Sequence, residues 1–187
     1  EQGDPRAEVI ALSTRGALTL AERRRVAGIV KDHSRRWLGP LEAIADPAGS
    51  QFLNGFLDTL VLAFNARSAE LLALRGEPRL ATVRTLEAGL HRTPQTLGPF
   101  LRQPMLAQVT RLVLPSAALP ALEGVPPPFT LEALGVSDNG LFAESLRPLE
   151  RIAWTRSIAR WELVCSTLFA SAHAIESFES LLPQLEL

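Results

Sequence analysis

The sequence predicts an α/β solenoid, in which short parallel strands stack side by side, each followed by a return segment, with a helical cap at the N-terminus. The main observation is a six-residue phrase, apolar-x-x-apolar-x-apolar, that recurs in the 187-residue chain. The four clearest copies, spaced by 26, 26 and 22 residues, begin at Leu57, Val83, Val109 and Leu131. Near-equal spacing of one strand-like phrase indicates a repeated structural unit.

The phrase has the pattern of a strand with one buried face. Successive side chains of a strand point to opposite faces, so the fourth and sixth positions point inward together. The residues between them, such as Val61, Val113 and Gly135, point to the opposite face. We therefore expect one continuous core on neighbouring parallel strands, formed by Leu60, Leu62, Leu86, Leu112, Leu114, Leu134 and Val136.

Two copies carry an asparagine eight residues after their first position, at Asn65 and Asn139, and His91 takes that place in the second copy. Side chains of this kind can satisfy backbone groups where the chain turns after a strand. Phrase, period and asparagine together resemble leucine-rich repeats, whose units are about 20–29 residues long. This interpretation implies a protein-interaction module that contacts its partner through the concave face of the sheet. The candidate partner-binding residues are Thr59, Val61, Thr85, Glu87, Arg111, Val113, Arg151, Arg160 and Glu162.

The repeat register is ambiguous towards the C-terminal end. Phrases that begin at Leu149 and Ile158 lie nine residues apart, which is too close for two stacked units. The interval of 27 residues from Leu131 favours Ile158, although the segment from Leu149 also has the pattern of a strand. A final phrase begins at Leu182.

The return segments are predicted to be helical or irregular. Asn65 can cap a helix over Ala66–Arg75, and Thr93-Pro94 can start a helix that ends near Gln103. Later prolines leave room only for a short helical turn around 117–122, followed by an extended segment at the three prolines of 126–128.

Residues 1–50 are predicted to form the helical cap, and residues 51–187 the solenoid. Asp4-Pro5 starts a short helix, and the residues from Thr19 to Glu22 form a capping box that opens a longer one. We expect the helical pair to cover the exposed end of the first repeat, because a solenoid end otherwise presents its core to water. The apolar stripe of the longer helix consists of Val26, Ile29, Val30, His33 and Trp37.

A second resemblance lies in the first 62 residues. The segment Glu1–Leu12, which reads EQGDPRAEVIAL, resembles the second half of the repeat-companion domain, a short module of myxobacterial and planctomycete proteins. The segments WLGPL at 37–41 and NGFL at 54–57 are similar to the residues that come directly after the module in such proteins. The resemblance implies a bacterial protein, and since the chain begins inside the motif, we expect further residues upstream. It implies no catalytic residues.

Composition is that of an ordinary folded domain, with 47% hydrophobic residues and a net charge of −1. No apolar run reaches the length of about 18 residues that a membrane-spanning helix needs, so we expect no membrane insertion. Cys165 is the only cysteine, which excludes an internal disulfide and favours a reducing, cytoplasmic compartment.

The usual patterns of catalysis are absent from the sequence. His33, His91 and His173 lie far apart, and none has a metal-ligand spacing to another histidine or to the cysteine. The chain contains neither a G-x-S-x-G motif nor a glycine-rich phosphate loop nor a C-x-x-C pair. We therefore predict a non-catalytic protein without a cofactor or a metal.

The charges are unevenly distributed along the chain. Residues 15–36 carry seven cations and two acids, a sum of +5, whereas the residues after Arg160 carry four acids and no cation. Two alternatives to a free-standing interaction module stay open: a recognition arm of a larger enzyme, and a nucleic-acid binder that uses the basic helix 20–37. Attraction between the acidic end and the basic helix also predicts weak self-association that salt reduces.

Overall fold

The computed structural model describes residues 3–63, 66–89, 94–123, 127–138, 146–152 and 158–165. Within them the chain has a mixed α/β fold with a single sheet, whose strands are β1 (Gln51–Leu53), β2 (Phe56–Val61), β3 (Thr85–Glu87), β4 (Arg111–Pro115), β5 (Ala133–Asp138) and β6 (Arg160–Cys165). The helices are α1 (Pro5–Ser13), α2 (Leu20–Leu38), α3 (Ser68–Ala73) and α4 (Pro94–Leu101). Short 3-10 helices span Gly39–Ala43, Pro78–Thr82, Pro104–Leu106, Ser116–Leu122 and Arg147–Arg151.

The strands follow one another across the sheet in chain order, and every pair from β2 to β6 is parallel. Equivalent positions of the repeated phrase lie side by side, because each return segment brings the next strand back in the same register. One such row crosses the sheet through Leu60, Leu86, Leu112, Leu134 and Trp161. The predicted arrangement of neighbouring parallel strands is therefore confirmed.

The core lies on one side of this sheet. All seven residues predicted to face it are at most 1% exposed and belong to one continuous apolar cluster. The return segments supply the other side of the cluster, with Leu71 from α3, Phe100 from α4 and Leu119 from a 3-10 helix. The helices of the return segments therefore pack against the buried face of the sheet, and we call this the helical side of the molecule.

The ambiguity between the last two phrases is resolved in favour of Ile158. Residues 147–151 form a 3-10 helix, so a strand that begins at Leu149 is wrong, and β6 follows Ile158 instead. Pro148 stands at the start of that 3-10 helix, where its fixed φ and missing N–H are tolerated. The phrase at Leu182 lies outside the described residues.

The sheet is not curled, and the concave curvature expected of a solenoid is not shown by it. The return segments agree with their predicted positions, and the two helices are shorter than predicted. Helix α3 occupies the middle of the predicted range 66–75, and its N-cap is Arg67, so the predicted cap at Asn65 is wrong. Helix α4 ends two residues before Gln103, and a 3-10 helix covers the predicted turn near 117–122.

The N-terminal helices begin where their caps were predicted. The Asp4 carboxylate accepts a hydrogen bond from the backbone N–H of Arg6, and Thr19 and Glu22 form a complete capping box. Trp37 is buried, whereas the rest of the predicted stripe of α2 is half-buried. The core continues across residue 50, because Leu38 and Leu41 belong to the same cluster as the strands.

The end of the sheet is covered differently from our expectation. The edge of β2 that faces away from β3 pairs with β1 in an antiparallel hairpin. Residues 45–50 bind the same edge towards the end of β2. The two-residue loop consists of Asn54 and Gly55, with φ values of 51° and 80°. Positive φ at both loop positions is what a type I′ turn requires, and Asn-Gly is its preferred sequence. The expectation that the helical pair covers this end is therefore corrected, since β1 satisfies the edge groups that a helix could not pair.

Candidate functional site

The side of the sheet opposite the core carries two straight rows of side chains, which we call the outer face. The first row runs through Thr59, Thr85, Arg111, Ala133 and Arg160, and the second through Val61, Glu87, Val113, Gly135 and Glu162. Their positions alternate with the buried row through Leu60, as the period of two requires. Eight of the nine predicted partner-binding residues therefore lie on one surface.

The ninth predicted residue, Arg151, does not lie on the sheet. It ends the 3-10 helix Arg147–Arg151 and is exposed. The prediction placed it on a strand because Leu149 opens a phrase of the right composition. The 3-10 helix removes the alternation on which that placement depended, so Arg151 is not part of the outer face.

A line of ion pairs crosses the outer face from β3 to β6. The Arg111 Nη1 donates to Glu87 Oε1 at 2.8 Å, and its Nη2 and Nε donate to Glu162 Oε2 at 2.7 and 3.0 Å. The Arg160 Nε donates to Glu162 Oε1 at 3.0 Å. Charges from three strands are thus held in one fixed arrangement.

The small residues of β5 make this arrangement possible. Arg111 stands on β4 and Glu162 on β6, so the pair spans β5, a distance of roughly 9–10 Å across two strand spacings. On β5 the two rows contain only Ala133 and Gly135. A Cβ added to Gly135 would come within 3.0 Å of the Val113 Cγ2, so larger residues there would displace the neighbours of Arg111.

Charge pairing alters the titration of two groups on this face. The hydrogen bond from Arg111, together with its charge, holds the pKa of Glu162 below its usual range. The hydrogen bond to Glu162 raises the pKa of Arg111 above its ordinary value. Both side chains keep about a quarter of their surface exposed, so water screens the attraction and the pair stabilises the fold only modestly.

The outer face is neutral at its β2 side. Thr59, Val61 and Thr85 are half-buried, and the Val61 N–H donates to the Ser50 Oγ at 3.1 Å. Gly49 lies so close to Val61 that a Cβ there would approach its Cγ2 to 2.9 Å. The segment that precedes β1 therefore borders the face at this side.

Val113 corrects a second prediction about this face. Its row position is the predicted one, but only 4% of the residue is exposed. The side chain packs against the glycine of the next strand instead of facing solvent, so Val113 supports the face and offers no contact area of its own.

Exposed cations cover much of α2 and form a second charged surface. Arg25 pairs with Glu8 of α1. The hydrogen bonds from Thr19 in the capping box lower the pKa of Glu22. The nucleic-acid hypothesis rests on this helix and stays untested. Its exposed basic residues are Arg23, Arg24, Arg25, Lys31, Arg35 and Arg36.

Other candidate residues of the sequence take structural positions or lie outside the described residues. His33 stacks on Trp37 with ring centroids 6.0 Å apart, which agrees with a packed histidine. Asn65, Asn139 and His91 lie outside the described residues. Among the described residues no three potential metal ligands of the His, Cys, Asp and Glu types form a group, and no helix is both long and apolar enough to span a bilayer.

The chain matches no protein-family profile, no curated protein and no solved structure. The resemblance to the repeat-companion domain accordingly stays a prediction, and the outer face is defined by its own geometry. Sequence reasoning found its residues one by one but missed the ion pairs and the role of Ala133, because both depend on the register of strands that are far apart in the chain.

Proposed function

We propose that the chain is a non-catalytic protein-interaction module that binds a protein partner through the outer face. The observation that carries the proposal is the register of the two rows, which places Thr59, Thr85, Glu87, Arg160 and Glu162 on one surface with part of each side chain accessible. Rigid parallel strands fix the spacing of these groups before any partner arrives. Such preorganisation lowers the entropic cost of association.

The size of the face favours a protein partner over a small molecule. Five parallel strands at about 4.8 Å spacing extend for roughly 19 Å from β2 to β6. The face is open and flat, whereas small molecules are usually bound in concave pockets. A stable protein interface buries about 800 Å² on each partner, so a protein partner would contact the outer face together with the surface around it.

The charge arrangement favours recognition by paired hydrogen bonds. Arg111 and Arg160 are both held by Glu162, and Glu87 stands at the other end of the line. Two cations and two carboxylates give this part of the face no net charge. The two carboxylates would repel the phosphate backbone of a nucleic acid. The face therefore fits a protein with complementary polar groups better than it fits a nucleic acid.

We further infer that the repeated units stack as in a leucine-rich-repeat-like solenoid. The chain-order sequence of parallel strands and the in-register leucine rows support this inference. In such a stack all strands contribute to one binding surface on the outer face, although the sheet does not show the predicted concave curvature.

Site-specific photo-crosslinking tests the proposed function. Benzoylphenylalanine is introduced at Thr85, on the outer face but outside the ion pairs, and at Arg75, which is exposed on the helical side. Both variants are illuminated in cells of the source organism. We expect one discrete protein to crosslink from Thr85 and not from Arg75. Crosslinking of the same protein from Arg75 alone, or from neither position, would contradict the proposal.

A further inference from the structure

A cavity of about 330 Å³ lies beside the β1–β2 hairpin, away from the outer face. Its walls come from α1, the end of α2, the hairpin and the 3-10 helix Pro78–Thr82. Aromatic and basic side chains dominate these walls, and its volume lies at the lower end of the range of ligand pockets. The residues that matter for its chemistry are Arg6, Trp37, Phe52, Phe56 and Arg79.

The cavity carries a positive charge that its walls do not neutralise. The Arg6 Cζ lies 5.1 Å from the centroid of the Trp37 ring, and the buried Arg6 Nε has no hydrogen-bond partner among the described residues. Arg79 is already paired, since its Nη1 lies 2.7 Å from Glu77 Oε1. No aspartate or glutamate is among the described residues that line the cavity. A carboxylate is the group that stabilises a half-buried guanidinium of this kind most strongly, because it accepts charge-assisted hydrogen bonds.

The hairpin loop holds Arg6 in place. A Cβ at Gly55 would lie 3.0 Å from the Arg6 Cγ and 3.1 Å from the Ile10 Cγ1, so only glycine lets α1 come this close. The stem of Arg6 is therefore fixed between the loop and the Trp37 ring. A fixed cation binds an anion with a smaller entropic cost than a mobile surface arginine does.

A second cavity, of about 410 Å³, adjoins the first. The two share Phe56, Leu57 and Thr82 as lining residues, and the second also contains Asp58 and Arg84. Leu53 and Phe56 stand at these cavities with 53% and 48% of their surface exposed. The two residues pair across the hairpin and form one contiguous apolar patch, and such patches are a feature of protein-interaction sites. We call the two cavities together the hairpin groove.

We propose that the hairpin groove binds an extended segment of a partner protein in which an acidic side chain neighbours a large apolar one. The carboxylate pairs with the Arg6 guanidinium, and the apolar side chain packs against Phe52 and Phe56. The rest of the segment passes Phe56 into the second cavity, whose polar lining bonds its backbone. Two adjoining open cavities suit an extended chain better than one compact small molecule. This site is separate from the outer face, so either proposal can fail alone.

A displayed library of random twelve-residue peptides, selected against the full chain, supplies the probes. Enriched peptides are synthesised, and their dissociation constants are measured by fluorescence anisotropy. We expect them to share an aspartate or glutamate within two positions of Phe, Trp or Leu. Arg6→Gln should weaken their binding about tenfold or more, the loss expected for a charge-assisted hydrogen bond. The matched control Arg24→Gln removes the same charge from an exposed position of α2 and should leave binding unchanged.

A second variant separates binding from folding. Phe56→Ala removes a half-exposed ring and should weaken the peptides about fivefold or more while thermal unfolding shows an intact fold. The proposal is overturned by a library that enriches no peptide, by peptides without an acidic residue, or by affinities that neither variant changes. It is also overturned if 3-phenylpropionate binds as tightly as the peptides, which would indicate a small anion as the occupant. Peptides that lose affinity with Thr85→Ala instead of Arg6→Gln would bind the outer face and would likewise contradict this site.

Discussion

The parallel strands and the hairpin region bury their apolar surface in different ways. From β2 to β5 the same position recurs in each strand, so that Leu60, Leu86 and Leu112 occupy equivalent places in one row. In the hairpin region each contact occurs once: Trp37 meets Phe52 edge-on with ring centroids 5.5 Å apart, and Arg6 covers the same indole. Repetition gives each row of the first region several equivalent contacts, whereas the hairpin region depends on contacts that occur only once.

This difference also separates the two surfaces. The outer face obtains its order from the register of the sheet, and its ion pair between Arg111 and Glu162 joins residues 51 positions apart in the chain. The hairpin groove obtains its order from one tight loop and one aromatic ring. Substitutions in the rows of the sheet and substitutions in the hairpin region should therefore change stability and binding independently of each other.

The largest expected effect is on a core row. Leu112→Ala removes a fully buried side chain and should lower the free energy of unfolding by about 2–5 kcal/mol. Thr85→Ala, on the neighbouring strand but on the outer face, should cost no more than about 1 kcal/mol. Chemical denaturation of both variants measures the difference. Equal losses would contradict the assignment of inward and outward rows.

A smaller effect is expected at the hairpin loop. Gly55→Ala places a side chain at a φ of 80° and against Arg6, and should destabilise by about 1–2 kcal/mol. Gly28→Ala is its control, because a Cβ at Gly28 meets nothing within 4 Å. Within α2 that change should stabilise by roughly 0.5–1 kcal/mol. Thermal unfolding that moved both variants in the same direction would refute this account of the loop.

The same contrast explains what the sequence could predict. The inward rows, the parallel order and the caps of α1 and α2 depend on local spacing and local cap residues, and the sequence predicts them correctly. Asn54-Gly55 is a strong hairpin pattern that the repeat interpretation left out, because the apolar phrase from Leu57 overlaps the second strand of the hairpin. Arg151 was misplaced because composition alone cannot decide between two closely spaced phrases, although Pro148 directly before the first phrase is unfavourable for a strand.

Tertiary arrangement decides the remaining features. The pairing of Arg111 with Glu162 needs two strand registers and two small residues on the strand between them, and no local pattern specifies that combination. The burial of Val113 depends on Gly135 of the neighbouring strand in the same way. The hairpin groove needs Arg6 and Phe56, which are brought together by a loop and not by any period.

The smallest expected effect on stability concerns the ion pairs. The pKa of Glu162 is lowered in the folded state, so its contribution is present above the ordinary carboxyl pKa of about 4.3 and is lost as the pH falls through the lowered value. Arg111→Gln should therefore lower stability by up to about 1 kcal/mol at pH 7. The difference from the wild type should shrink steadily as the solution is acidified below the ordinary carboxyl pKa. Thermal unfolding from pH 7 downwards measures it, and a difference that grew in acid would have the wrong sign.

The most direct test of the outer face is the affinity for the protein that crosslinks from Thr85. Its dissociation constant is measured for the wild type, for Arg160→Glu on the outer face and for Arg75→Glu on the helical side. Both substitutions change the net charge equally and both act at exposed positions. We predict that Arg160→Glu weakens binding about tenfold or more and that Arg75→Glu leaves it within about twofold. Equal effects of the two substitutions, or a loss confined to Arg75→Glu, would contradict the claim that the outer face binds the partner.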